Sequence, residues 1–99
     1  MPFLRVVGLS VVDQEKYAQY RAEMTPLLEA AGGGFRYDFT VGRNLKSDAG
    51  HEINRLFVIQ FPDRATLERF FTNPQYLEIR GRLFNPSVKG TTILAECAS

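Results

Sequence analysis

Residues 53–61 read Ile53-Asn54-Arg55-Leu56-Phe57-Val58-Ile59-Gln60-Phe61, and residues 3–12 read Phe3-Leu4-Arg5-Val6-Val7-Gly8-Leu9-Ser10-Val11-Val12. β-Branched and aromatic side chains of this kind suit a pleated strand, and a strand with one wet side shows a polar residue at every second position. Neither stretch does. In the first, Phe3/Val7/Leu9/Val11 and Leu4/Val6/Gly8 are both apolar sets; in the second, Phe57, Ile59 and Phe61 back onto Leu56 and Val58. Both stretches therefore read as central strands that must be covered on two sides.

The chain around them supplies helices and one weaker strand. Asp13 caps a helix whose apolar positions Tyr17, Tyr20, Met24, Leu27, Leu28 and Ala31 recur every three or four residues. Pro26 predicts a kink or a restart within it, with Thr25 as a fresh cap, and Gly32-Gly33-Gly34 ends it. Phe35, Tyr37, Phe39 and Val41 alternate with Arg36, Asp38 and Thr40, which is the pattern of an edge strand with one apolar side. Residues 43–52 are polar and form a connecting loop. Asp63 caps a second helix bearing Leu67, Phe70 and Phe71; Asn73-Pro74 restarts it with Tyr76, Leu77, Arg80 and Leu83 at helical spacing, and Gly81 weakens that segment. Asn85-Pro86-Ser87 is a turn, and Thr91 to Cys97 reads as a last strand with Ile93 and Ala95 opposite Thr92 and Leu94.

The order strand, helix, strand, strand, helix, strand is the split β-α-β arrangement of an α+β, ferredoxin-like βαββαβ domain with a four-stranded antiparallel sheet, here a single domain over residues 1–99. Right-handed crossovers place the helices on one side of the sheet. The other side of the central strands is also apolar, and a bare patch of that size is not tolerated on a soluble monomer. A second copy packed face to face about a two-fold axis is the simplest cover, so a homodimer is expected.

Composition narrows the function classes. The 99 residues are 44% hydrophobic and 23% charged, and 12 basic against 11 acidic side chains leave a net charge of +1. Without a basic cluster there is no footprint for nucleic acid or an anionic membrane, and the apolar run from Val6 to Val12 is far shorter than the ~18 residues that span a bilayer. Cys97 is the only cysteine, so no intrachain disulfide and no Cys/His zinc set is possible; it reads as a small strand-end residue in a cytoplasmic protein with an intact N-terminus.

Tyr17 and Tyr20, Pro26, Gly32-Gly33, the Phe61-Pro62 step, Asn73-Pro74-Gln75-Tyr76 and Arg80 together resemble the pattern of the uncharacterised domain of unknown function 1330 family, from about Val6 to Glu96. That resemblance implies the dimeric α/β-barrel superfamily, which includes cofactor-free monooxygenases, isomerases, haem proteins and members without assigned activity. Two departures stand out: a carboxylate usual before the Phe-Pro step is Gln60 here, and a tryptophan-tyrosine pair on the second helix is Phe70-Phe71. A role tied to that carboxylate does not carry over.

Candidate site residues follow from chemistry misplaced in an apolar setting. Arg5 and Arg55 interrupt the central strands, where an unpaired guanidinium is strongly penalised; each needs an anionic ligand or a carboxylate, and Asp38, Glu23, Glu52 and Glu96 are the candidates. Histidine is the side chain that titrates nearest neutrality, and the chain's only one, His51, stands on the long loop, where it is a candidate to fold over a pocket mouth and move a proton; Asp38 is the other candidate for that role. Tyr17 and Tyr20 share a helical face, and Tyr76 and Arg80, four apart, share another that suits a small carboxylate. With no nucleophile elbow, no phosphate-binding glycine loop and no haem-attachment sequence, no cofactor and no metal is expected. Three readings remain open. The first is a homodimeric module binding a small, partly apolar metabolite through Tyr17, Tyr20, Arg55, Tyr76 and Arg80. The second is a cofactor-free isomerase or monooxygenase using His51 or Asp38, and the third a structural or interaction protein.

Overall fold

The computed structural model describes residues 1–98. Its elements run β1 (Phe3–Val11), α1 (Gln14–Ala30), β2 (Gly34–Thr40), β3 (Arg55–Phe61), α2 (Arg64–Thr72), α3 (Pro74–Ile79), a wide π-helical turn (Arg80–Phe84) and β4 (Val88–Ala98). The sheet is antiparallel in the order β2-β3-β1-β4. The two doubly apolar strands are thus the central ones, and the alternating strand is at an edge.

Register divides the sheet into two faces. Arg5, Val7 and Leu9 sit opposite Ile59, Phe57 and Arg55, and this set faces the helices, with Leu9 and Phe61 fully buried against Tyr17, Met24, Leu28 and Tyr76. Leu4, Val6 and Gly8 sit opposite Gln60, Val58 and Leu56 on the face that no helix covers. Caps appear where the sequence puts them: Asp13 accepts from Lys16 N at 3.0 Å, Asp63 from Thr66 N at 2.7 Å and Asn73 from Gln75 N at 2.8 Å.

Three local expectations are corrected. First, α1 passes through Pro26 without restarting. The proline removes the donor to the carbonyl of Ala22, but both residues lie on the exposed face, where water substitutes, and the Thr25 hydroxyl donates to Arg21 O at 2.5 Å instead of capping a new helix. Second, β2 does not keep one apolar side. A bulge at Arg36, between the Phe35–Ile59 and Tyr37–Val58 pairs, turns Phe35 toward the helices and leaves Tyr37 and Phe39 on the uncovered face, with Asp38 on the helix face. Third, a bulge in β4 between the Val6–Ala95 and Val7–Ile93 pairs puts Ile93 and Ala95 on opposite faces. The one extra residue also carries Glu96 across to sit beside Arg5, since an added residue reverses the side of everything after it.

Ser87 ties the turn after the π segment to the end of β1. It is fully buried, its hydroxyl donates to Leu83 O at 2.6 Å, and its carbonyl accepts from Val12 N at 2.8 Å.

Candidate functional site

A cavity of about 190 Å³ lies between the helix-facing side of the sheet and the helices, partly open to solvent. The walls are largely aromatic. α1 contributes Tyr17 and Tyr20 one turn apart, the last turn of α2 contributes Phe71, and α3 runs into the π turn so that Tyr76, Arg80 and Phe84 all reach the same space. The Asn85 N–H donates to Arg80 O at 2.9 Å, five residues back, which is the bond that widens this turn. Arg5, Phe57 and Ile59 form part of the floor.

The sheet arginines found carboxylates. Arg5 Nε donates to Glu96 at 2.7 Å, a contact made by the β4 bulge. Asp38 is held from two sides: Arg55 Nε and Nη2 each donate to it at 2.8 Å, and Arg21 Nη1 and Nη2 at 3.1 and 3.3 Å. The hydrogen-bonded Arg55 guanidinium, aided by Arg21, keeps the Asp38 carboxyl below its usual range against the opposing effect of burial. Arg21 Nε also donates to the Tyr17 hydroxyl at 2.8 Å, while its guanidinium lies 3.8 Å from the Phe35 ring centroid. Of the other carboxylates considered, Glu23 pairs with Arg82 at 2.5 Å on the outside of the helices.

Tyr20 and Tyr76 form a buried hydroxyl pair 2.8 Å apart, with Phe84 5.0 Å from the Tyr20 ring and Phe70 4.8 Å from Tyr76. Burial pushes the Tyr20 phenol well above its ordinary range, helped by Tyr76; Arg80 is close enough to act in the opposite sense. The Tyr17 phenol is also raised by burial, with Arg21 and Arg55 opposing. The Tyr17 and Tyr20 hydroxyls therefore remain protonated at neutral pH.

The expected residues separate into three places. Tyr17, Tyr20, Tyr76 and Arg80 line the cavity together. Arg55 and Asp38 stand behind Tyr17 and Arg21 as an ion-pair layer, Arg55 lying 5.1 Å from the Tyr17 ring. His51 does not fold over the cavity mouth. Its ring packs on Gly90, and its Nε2 lies 2.8 Å from the Thr92 hydroxyl, while the neighbouring Ile53 rests on Gly8. Gly8 and Gly90 open onto the uncovered face, so the loop sits on the side of the sheet away from the cavity. Arg5, expected to need a carboxylate or an anionic ligand, reaches the cavity as well, while Arg21, Phe71 and Phe84 are wall residues that the sequence reading missed. Arg21 had a visible signal, four residues after Tyr17 on the same helical face; Phe84 did not, since the π turn alters its direction.

Residues 4–96 match the family described as domain of unknown function (DUF1330), and the chain belongs to it. Solved structures share its fold at low identity. A protein of unknown function from Rhodopseudomonas palustris superposes with a TM-score of 0.80 at 16% identity, covering 99% of this chain and 82% of that one. A dimeric ferredoxin-like protein of unknown function from Jannaschia sp. gives 0.67 at 13%, covering 100% of both chains. A hydroxynitrile lyase from Passiflora edulis gives 0.62 at 19%, covering 97% and 91%. No curated protein matches the sequence. Among the described residues no helix is long and apolar enough to cross a membrane.

Proposed function

We propose that this single-domain chain is a homodimer whose subunits pack sheet against sheet into a dimeric α/β barrel, and that each subunit binds a small, partly apolar metabolite in the cavity between its sheet and its helices. The pairing is supported by the uncovered apolar face and by the dimeric relative of the same fold; about 800 Å² per subunit is an ordinary size for such an interface. The observation that carries the binding reading is the convergence of Tyr17, Tyr20, Tyr76 and Arg80 on one aromatic-walled cavity, the form that small-molecule sites take. The exposed, unpaired Cys97 is in keeping with a reducing, cytoplasmic setting.

A cofactor-free isomerase or monooxygenase has less support. Asp38 is committed to two guanidinium groups, which makes it a weak proton acceptor, and His51 is on the other side of the sheet. A purely structural role leaves the polar lining of the cavity unexplained. The test is a metabolite screen read by thermal shift on the dimer and on Arg80→Ala. At least one compound should raise the parent melting temperature and fail to raise that of the variant; a screen in which nothing distinguishes the two proteins refutes the binding reading.

A further inference from the structure

The groups around the cavity do not balance, either in protons or in charge. Two phenols carry two hydroxyl protons, yet Tyr20 and Tyr76 share a single hydrogen bond. Whichever hydroxyl donates within the pair, the other proton has no acceptor among the described residues, although both side chains are buried. Both side chains line the partly open cavity, so this proton is available to an oxygen that enters it, from water or from a ligand.

Charge points the same way. Arg5, Arg21 and Arg80 line the cavity, with Arg55 behind Tyr17, and the carboxylates paired with these four arginines are Glu96 and Asp38 alone. Arg5 is matched by Glu96, whereas Asp38 serves both Arg21 and Arg55. Among the described residues Arg80 has no carboxylate partner; it lies 4.7 Å from the Phe84 ring, and its charge acts on the Tyr20 hydroxyl. Two positive charges are thus uncompensated around a site in a chain whose net charge is only +1. Among the described residues no carboxylate and no histidine lines the cavity.

Shape supplies the remaining constraint. A volume of about 190 Å³ is below the ~300 Å³ at which sites for drug-sized ligands begin, which suits a small single-ring molecule. Phe57, Phe71 and Phe84 are among the walls, and the neighbouring Phe35–Phe57 and Phe71–Tyr76 pairs are already edge-to-face, the arrangement in which a further flat ring is favourably received.

We propose that the cavity is specific for a single-ring aromatic carboxylate, its carboxylate held by the Arg80 guanidinium and the spare hydroxyl proton of the Tyr20–Tyr76 pair, and its ring packed against Phe57, Phe71 and Phe84. This rests on the binding reading above and narrows it to a chemical class. Charge-assisted hydrogen bonds from a guanidinium and a phenol are stronger than neutral ones, so the acid is strongly preferred to its uncharged counterpart.

The experiment is titration of the intact protein at neutral pH with benzoate, benzamide and cyclohexanecarboxylate, followed by the ring resonances of Tyr20 and Tyr76 in NMR spectra. Benzoate is expected to bind at least tenfold more tightly than benzamide and several-fold more tightly than cyclohexanecarboxylate. Arg80→Gln should abolish the preference over benzamide, Arg80→Lys should keep part of it, and Tyr76→Phe should weaken benzoate several-fold. Spectra of each variant without ligand establish that it is folded. Equal binding of benzoate and benzamide overturns the anionic assignment and leaves cavity binding intact; equal binding of the two acids overturns the aromatic one. If none of the three shifts Tyr20 or Tyr76, the proposed class is wrong, and the thermal-shift screen decides separately whether the cavity binds anything else.

Discussion

The two faces of the sheet are made from the same strands, yet they have different fates. On the helix face Leu9 and Phe61 are 0% exposed, whereas on the opposite face Tyr37 and Phe39 are 55% and 52% exposed and Leu94 is 49% exposed. Charge is also unequal: Arg5, Arg55, Asp38 and Glu96 all lie on the helix face, and the open face of the central strands carries Leu4, Val6, Leu56 and Val58 beside the uncharged Gln60, which accepts from Arg36. The helix face encloses a cavity and stabilises the subunit; the open face is suited to association.

A carboxylate placed on the open face tests that division most severely. Val58→Asp should weaken association by more than about 5 kcal/mol, because both copies bury an unpaired charge at a two-fold interface. Sedimentation should then show a monomer at micromolar concentration, with an unfolding midpoint that no longer depends on concentration. A Val58→Asp dimer would place the interface elsewhere. Phe61→Ala is the counterpart on the covered face: loss of a fully buried ring should cost about 3–5 kcal/mol in urea unfolding of the subunit while leaving the sheet-to-sheet contact unaltered.

Smaller effects sharpen the contrast within the covered face. Tyr20→Phe should cost about 1–2 kcal/mol through loss of the buried hydroxyl contact. Tyr20→Phe combined with Tyr76→Phe should cost less than the sum of the single changes, because the two hydroxyls mainly serve each other; additive losses in a denaturant cycle would show that each has a separate partner. Asp38→Asn should cost about 1 kcal/mol at pH 7, the site being open enough for solvent to screen it. Asp38 has a depressed pKa in the folded state, so its contribution is complete above the ordinary aspartate range near pH 4 and fades as pH falls through the lower folded value. The stability gap between parent and Asp38→Asn should accordingly be constant from pH 7 to about 5 and narrow steadily as the pH falls below about 4; a gap that stays constant in acid would mean that packing, not charge, is responsible.

The fold was legible because its decisive signals are local. Doubly apolar strands at 3–12 and 53–61, caps at Asp13, Asp63 and Asn73, and the glycines at 32–34 each report a short-range physical constraint, and all agree. Tyr17, Tyr20, Tyr76 and Arg80 were legible as groups on helical faces, and the lone arginines on strands signalled that carboxylates had to be near. What the sequence hid was phase. The bulges at Arg36 and near Leu94 leave no mark in the alternation, yet they decide that Phe35 joins the cavity wall and that Glu96, rather than another acid, meets Arg5. The side of the sheet on which the 43–52 loop lies was equally hidden, because it depends on glycines at 8 and 90 being small enough to admit Ile53 and His51.

The wide turn at Arg80–Phe84 has a consequence for how this chain can tolerate change in length. One residue of a regular helix corresponds to roughly 100° of rotation, so deleting Gly81 to restore an ordinary coil would do more than shorten the connection. It would swing Phe84 away from Tyr20 and carry Ser87 off the end of β1. The surplus residue acts as an angular spacer that sets the direction of the cavity's back wall.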